Sequence, residues 1–434
     1  MAAILENISQ LERRLNISLP SSEIDSEVQS RLKRLARTVK MHGFRPGKVP
    51  LKVVAQQYEY QVRREVLGDA LQKSFGDAVR EQNLRVAGYP RFEPVQAEGA
   101  PGVEFSATFE VYPEVAVGSI EDASFTRPLA EVGDPEIDRT LEIMRKQRAS
   151  YEPVSRAAAT GDRVTIDFLG KTNGVEFEGG KGDALNVVIG EGRLLKDFEE
   201  HLVGLSAGAE KSFDVRFPDD YHGKELAGKT ATFDVKLKEV AQAKLPPVDA
   251  EFAKSLGVAD GNLDTMRGEI RANLGREVKR RVGARVKDQI MQALIDRTRI
   301  DVPKSLVEME IQRLMTAARQ DLESRGVKVE GMPMPRDMFE QQAQRRVTLG
   351  LILAEVVKNN ALQAKPEQVR AAVDEQAQSY EQPEQVVKWY YQSPERLREI
   401  ESMVLEENVV EWALRTGRVA DQKIDFDELM GHGK

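Results

Sequence analysis

Between residues 28 and 58 lie eight basic side chains and no acidic one, in a 434-residue chain whose net charge is −8. They are Arg31, Lys33, Arg34, Arg37, Lys40, Arg45, Lys48 and Lys52. At the centre runs Gly43-Phe44-Arg45-Pro46-Gly47-Lys48-Val49-Pro50. Prolines and glycines at this density cannot continue a helix, so the stretch is a loop. It presents one aromatic ring, Phe44, among cations. A local cationic loop on an acidic chain is suited to docking on something anionic at one place. RNA leads, because phosphates attract Lys and Arg and a ring can stack or wedge. The plainer alternative is a solvated basic helix face. Phe44 weighs against it, lying between two helical patterns where a core ring is not expected.

A second set is aromatic: Phe168, Phe177, Phe198, Phe213, Phe217, Tyr221 and Phe233. Part of it must be the core of a small β-rich domain. Tyr221 and Phe177 are expected in Gly- or Asp-rich loops, where rings serve function more than packing. A shallow apolar bowl lined by rings would suit a proline side chain. A third set is methionine: Met309, Met315, Met332, Met334 and Met338. Met309 and Met315 read as core filling. Met332, Met334 and Met338 read as a surface for varied apolar partners, since flexible thioethers tolerate many shapes.

Other patterns carry less. Residues 223–230 match the phosphate-loop spacing letter by letter. That chemistry needs a strand before and a helix after. Here a Pro-Asp-Asp-Tyr turn precedes, and residues 231–237 alternate like a strand, so a turn between strands is expected. Asp219-Asp220 and Glu199-Glu200 read as solvated surface carboxylates with no matched acid–base partner. There is no cysteine, which excludes disulfides, thiolate zinc sites and Cys nucleophiles. The four histidines are far apart, so neither a metal nor a cofactor is expected.

These residues need elements to position them. Leu15, Ile17 and Leu19 alternate as a strand, as do Val103, Phe105, Ala107, Phe109 and Val111. Between them Ile24, Val28, Leu32, Leu35 and Val39 recur at helical spacing, with Ser21 or Ser22 as N-cap, and Val54, Tyr58, Val62 and Val66 form a second helix. Residues 1–112 are thus a small α+β domain with the basic loop at the tip of a helix pair. Residues 113–149 are a connector whose helix starts at Asp134-Pro135-Glu136. Residues 150–245 are a glycine-punctuated α+β domain, with strands around Val164, Phe213 and Phe233 and a short helix from Leu194 to Leu202. Residues 246–434 are helical almost to the end, with one long helix from Leu263 to Leu294 and helix starts at Pro303, Pro366 and Pro394. The fold class is multidomain α+β with an elongated all-α carboxyl-terminal domain. The amino terminus lacks a secretory pattern, and no stretch approaches the roughly 18 apolar residues of a membrane span, so a cytoplasmic chain without a membrane partner is expected.

The middle domain carries a family resemblance. Asp167-Phe168, then Phe177-Glu178-Gly179-Gly180, then residues 190–199, then Pro218-Asp219-Asp220-Tyr221, then Phe233-Asp234-Val235 resemble an FKBP-type peptidyl-prolyl isomerase in order and spacing. The Gly-Phe-Arg-x-Gly-x-x-Pro loop is similar to the ribosome-docking motif of the trigger factor family, bacterial chaperones of the nascent-chain exit. The resemblance covers essentially the whole chain. It implies that Gly43, Phe44, Arg45, Gly47 and Lys48 contact the large ribosomal subunit, protein and rRNA, beside the tunnel exit. Members often carry a further basic residue after the Phe-Arg pair, and this chain has Pro46. It also implies a proline bowl of Phe168, Phe177, Leu195, Phe198, Tyr221 and Phe233. The segment from Tyr221 to Phe233 is shorter than in single-domain isomerases, which leaves the bowl more open. Unfolded nascent polypeptides are the implied clients, held without ATP by the helical region and Met332, Met334 and Met338.

Three readings stay open at this point. One is a ribosome-associated folding chaperone with prolyl isomerase activity. A second is a free isomerase whose helical region dimerises. A third is a nucleic-acid adaptor with an inactive middle domain. A homodimer away from the ribosome is compatible with the first two.

Overall fold

A computed structural model of the chain describes residues 3–431 except 43, 45, 46, 96–101, 222, 224, 328, 330, 379 and 381. Strands β1 (Ala3–Asn7) and β2 (Glu12–Pro20) pair antiparallel and are followed by helices α1 (Ser21–Thr38) and α2 (Leu51–Glu81). Strands β3 (Val86–Val95) and β4 (Gly102–Val111) complete a sheet ordered β1-β2-β4-β3. The alternation of β2 sets its register: Leu15 lies opposite Ala107, and Ile17 opposite Phe105. Leu15, Ile17 and Leu19 are buried with Ile24, Val28 and Leu32 of α1 and Val54, Val62 and Val66 of α2. The expected serine cap is absent. Pro20 occupies the N-cap in extended conformation, and α1 begins at Ser21 with no side-chain cap bond. One proline thus ends the strand and starts the helix, its fixed φ suiting both.

After β5 (Ser124–Leu129), helix α3 (Asp134–Gln147) begins at Asp134 itself, the residue expected to cap it, so the cap lies one residue earlier than expected. Gly133 is the N-cap, and its N–H donates to the Glu136 carboxylate at 2.8 Å. The second sheet contains β6 (Ser150–Pro153), β7 (Arg163–Thr172), β8 (Val175–Val188), β9 (Glu210–Arg216) and β10 (Thr230–Lys244), with α4 (Lys196–Leu202) between β8 and β9. Its order is β6-β10-β7-β8, with β9 also paired to β10. Every pairing is antiparallel. Val164, Ile166, Leu202, Val215 and Leu237 are fully buried and form the base of its core.

Helices follow: α5 (Ala250–Ser255) and the 35-residue α6 (Leu263–Arg297). Ile137 and Leu141 of α3 close a separate core with Phe252, Met266 and Ile270. The connector helix therefore packs on the start of the helical region. Then come α7 (Lys304–Ser324), α8 (Asp337–Asn360), α9 (Pro366–Ala377), α10 (Pro383–Tyr391) and α11 (Pro394–Thr416). The end of the chain is not wholly helical. Strand β11 (Arg418–Lys423) pairs with β5, and a short α12 (Phe426–Met430) follows. All six β11 side chains are exposed, so no alternation marks the strand; backbone pairing alone makes it. Gly417 permits the approach, because a Cβ there would sit 2.6 Å from Phe125. Arg127 adds a two-pronged ion pair to Asp421 at 2.7 and 3.0 Å.

The chain divides into two compact units, each discontinuous in sequence. One comprises residues 1–127 with 283–422, the other 128–282 with 423–434. Among the described residues no helix is long and apolar enough to cross a membrane.

Candidate functional site

The aromatic set gathers on one side of the second sheet. Phe168 comes from β7, Phe177 from β8, Phe198 from α4, Phe233 from β10, and Tyr221 from the turn after β9. With Leu195, which starts α4, they line a cavity of about 480 Å3, and Phe217, Leu194 and Leu226 add to its wall. Phe233 is the hub. Its ring centroid lies 5.1 Å from Phe198, 6.1 Å from Phe177 and 6.2 Å from Phe168. Most of these contacts are edge-to-face, each worth about 0.5–1.5 kcal/mol beyond simple burial. Phe198 and Phe233 are 4 % and 6 % exposed, while Phe168, Phe177, Leu195 and Tyr221 are half-buried and open to the cavity.

Phe177 is not in a loop, as the sequence reading has it, but on a strand. The register of β8 against β7 shifts on both sides of Phe168, leaving residues 177–180 and 183–184 bulged out of the pairing. Glycines in the bulge break the alternation, which makes a strand look like a loop. Glycines of β7 and β8 also have a role that reading missed. A Cβ on Gly182 would lie 2.4 Å from Phe168, and one on Gly170 would lie 2.6 Å from Phe233 and 2.9 Å from Phe177. Two of the bowl's sides are rings laid against bare backbone.

Glu199 corrects the reading of Glu199-Glu200 as a solvated pair. Glu200 is exposed, but Glu199 is 4 % exposed. Its carboxylate accepts backbone N–H bonds from Gly190 at 2.8 Å, Leu194 at 3.0 Å and Gly192 at 3.3 Å. Asp167, beside Phe168 in sequence, points away from the cavity. It accepts from Lys238 at 2.6 Å and from the Ala184 N–H at 2.7 Å, and Lys238 holds its carboxyl below the ordinary range. The phosphate-loop look-alike runs from a turn directly into β10, as expected of a strand connection. The cavity is therefore an apolar bowl with Glu178 and Arg193 at its rim. It can hold a proline ring and exclude water.

The basic loop joins α1 to α2. Phe44 is 40 % exposed, its N–H donating to Met41 O at 3.2 Å. Gly47 has φ +77°, a left-handed turn that glycine adopts without strain. Lys48 is exposed, and the neighbouring Val49 is buried and anchors the loop. Gly43 and Arg45 lie outside the described residues. The cations are not equivalent. Arg31 pairs with Glu27 at 3.0 Å and Asp69 at 2.7 Å, and Arg34 with Glu27 at 3.1 Å. Among the described residues, Lys33, Arg37, Lys40, Lys48 and Lys52 are exposed and have no acidic partner.

In the helical region, residues 332–335 form the expected loop, with Met332 49 % and Met338 73 % exposed and Met334 half-buried. Met315 packs on the α7–α8 core of Val307, Ile311, Leu314 and Ala343. Met309 does not. It is 44 % exposed and lines a cavity of about 630 Å3 with Tyr112, Leu306, Val347 and Leu351. Its place in the helical period fits a core position, but the facing side of α7 is left open. The N-terminus of α7 is held to the first sheet by Glu110, which accepts from the Ser305 N–H at 2.6 Å and the Lys304 N–H at 3.1 Å.

Comparison with known proteins agrees with this architecture. Family models match at residues 1–144 (Bacterial trigger factor protein), 154–238 (FKBP-type peptidyl-prolyl cis-trans isomerase) and 262–415 (Bacterial trigger factor protein C-terminus). The trigger factor of Nitrosospira multiformis is 58 % identical over 433 residues, spanning 99 % of this chain and 100 % of its own length. That of Thiobacillus denitrificans is 55 % identical over 432 residues, with 99 % and 100 % covered. A solved structure described as "Promiscuous Substrate Recognition in Folding and Assembly Activities of the Trigger Factor Chaperone" aligns at 17 % identity over 96 % of this chain and 99 % of that one. Its TM-score is 0.46, too low to bear on the arrangement.

Proposed function

The chain belongs to the bacterial trigger factor family and carries an FKBP-type peptidyl-prolyl isomerase domain, and from that premise we propose that it docks at the nascent-chain exit of the large ribosomal subunit and shields unfolded polypeptides there without ATP. The observation that supports the docking is the α1–α2 pair with its loop: an exposed Phe44 near Lys33, Arg37, Lys40, Lys48 and Lys52, which are exposed and have no acidic partner among the described residues. Phe44, Gly47 and Lys48, with Gly43 and Arg45, form the contact to protein and rRNA. The division of labour follows the sequence: 1–112 docks, 113–149 connects, 150–245 isomerises and 246–434 holds clients. Met332, Met334 and Met338 offer apolar contacts to clients. A ribosome partner places the chain in the cytoplasm.

The isomerase reaction faces a resonance barrier of roughly 18–20 kcal/mol, whereas cis and trans Xaa-Pro differ by only about 0.5–1 kcal/mol. Speed is the task, and it needs no nucleophile. In the bowl, Phe198 and Phe233 form the floor on which the proline ring rests, and Phe168, Phe177, Leu195 and Tyr221 form the wall. An apolar surround disfavours the charge-separated planar amide relative to the twisted one. That is preferential stabilisation of the transition state.

Co-sedimentation with salt-washed ribosomes tests the docking, comparing the wild type with a Phe44→Ala, Arg45→Ala, Lys48→Ala variant. Binding lost in the triple variant is the expected result. Equal binding by both, or by neither, would refute the loop as anchor.

A further inference from the structure

The buried carboxylate of Glu199 serves no role so far. It lies in the first turn of α4, next to Phe198 of the bowl floor. The loop it holds, residues 190–194, leads into the bowl wall: Gly192, Arg193, Leu194 and Leu195 all line the cavity. Three alternate N–H groups of that loop turn inward to one side chain, two onto Oε2 and one onto Oε1. Gly190 at φ +95° and Gly192 at φ +70° allow the backbone to make this curl. A carboxylate this buried is costly unless its oxygens are satisfied, and charge-assisted bonds to N–H groups are among the stronger ones. Leu194 packs on the core of the domain, but among the described residues no other side chain accepts from these three N–H groups.

We infer that Glu199 is a positioning residue for the isomerase, fixing the 190–195 wall in the shape that receives the proline. This rests on the reading of the aromatic bowl as the proline site. Without the carboxylate the wall samples other shapes, and substrate must select the competent one. Selection multiplies the apparent dissociation constant by the inverse of the competent fraction and leaves the bound complex unchanged. The effect therefore falls on KM and spares kcat. A purely structural role would do the opposite, reducing the amount of folded enzyme and leaving KM alone.

The test is Glu199→Gln in the full chain, with initial-rate kinetics on a short Xaa-Pro peptide and amide exchange by NMR. Whichever way the amide turns, its NH2 faces at least one backbone N–H. KM should rise about tenfold, as for a competent fraction of about one in ten, with kcat within about twofold. The Gly190, Gly192 and Leu194 amides should lose protection while those of β7 and β10 keep theirs. Glu200→Gln, on the exposed neighbour, should behave as wild type. If Glu199→Gln fails to fold, Glu199→Asp keeps the charge but is one methylene too short to reach all three N–H groups, and KM should rise in the same direction. A wild-type KM in a folded variant whose loop amides have lost protection overturns the inference, and so does a fall in kcat at constant KM. Phe168→Ala separates the two readings. Full turnover in that variant would sink the bowl itself. Its inactivity beside an unaffected Glu199→Gln would sink only the role of Glu199.

Discussion

If the chain docks as proposed, the salt dependence of its ribosome binding should separate the cations that meet the ribosome from those that do not. Each Lys or Arg that neutralises a phosphate contributes about −0.7 to −0.9 to the slope of log K against log salt. Lys33, Arg37, Lys40, Lys48 and Lys52 are exposed without acidic partners among the described residues. If all of them reach rRNA, the slope is about −4. Raising salt from about 50 to about 200 mM should then weaken binding by about 250-fold. Lys48→Ala should bring the slope to about −3 and the loss to about 60-fold. Arg31→Ala should leave the slope unchanged, because Glu27 and Asp69 already hold its guanidinium at 3.0 and 2.7 Å. The assay is co-sedimentation at several salt concentrations with wild type and both variants. A slope reduced equally by Arg31→Ala and Lys48→Ala would refute the reasoning, since intramolecular pairing would then not decide which cations dock. So would a wild-type slope near zero, which would place the contact on uncharged protein surface.

Gly170→Ala drives a methyl group into Phe233 and Phe177, and such overpacking should cost about 1–3 kcal/mol; a thermal melt gives the stability, and turnover should fall because two bowl rings have moved. Phe233→Ala removes the hub of the ring cluster, so a loss of about 3–5 kcal/mol and of isomerase activity is expected, read by amide exchange of β7 and β10 and by peptide kinetics. Asp162 is buried and ion-paired to Arg156 at 2.5 Å, and that bond chiefly, with the Ala159 N–H, holds its carboxyl below the ordinary range. A depressed folded-state pKa gives stability that is present above the unfolded value, about 4, and lost as pH falls through the folded one. Arg156→Ala should therefore raise the midpoint of acid unfolding, measured by circular dichroism; an unmoved midpoint would show the pair to be idle.

The elements with a strong period were legible from the residues alone. Val164 and Ile166, or Leu15, Ile17 and Leu19, alternate because each strand has one face on a core. The bowl rings were legible too, because aromatic residues are few here and cluster in order along the middle of the chain. What escaped depends on partners far away in sequence or on backbone shape. Glu199 looks like its neighbour Glu200 until the loop ahead of α4 curls back onto it. Phe177 looked like a loop residue because bulged glycines erase a period of two. β11 has no buried side chain, so only the presence of β5 makes it a strand. Met309 sits at a core spacing on α7, and only tertiary structure shows that its side of the helix is left uncovered.

The pairing of β5 with β11 also bears on how this chain is made. Arg127 and Asp421 are 294 positions apart. At a synthesis rate of about 5–20 residues per second, the second strand emerges about 15–60 s after the first. Throughout that interval β5 has an open edge, and the unit containing residues 1–127 gains its later helices only one after another. A contact of such long range is also slow to form once both ends exist. The newly made protein therefore spends its own synthesis as an incomplete chain with exposed apolar surface. In that state it resembles the nascent polypeptides it is proposed to shield, which would make the newly made chain a client of finished copies of itself.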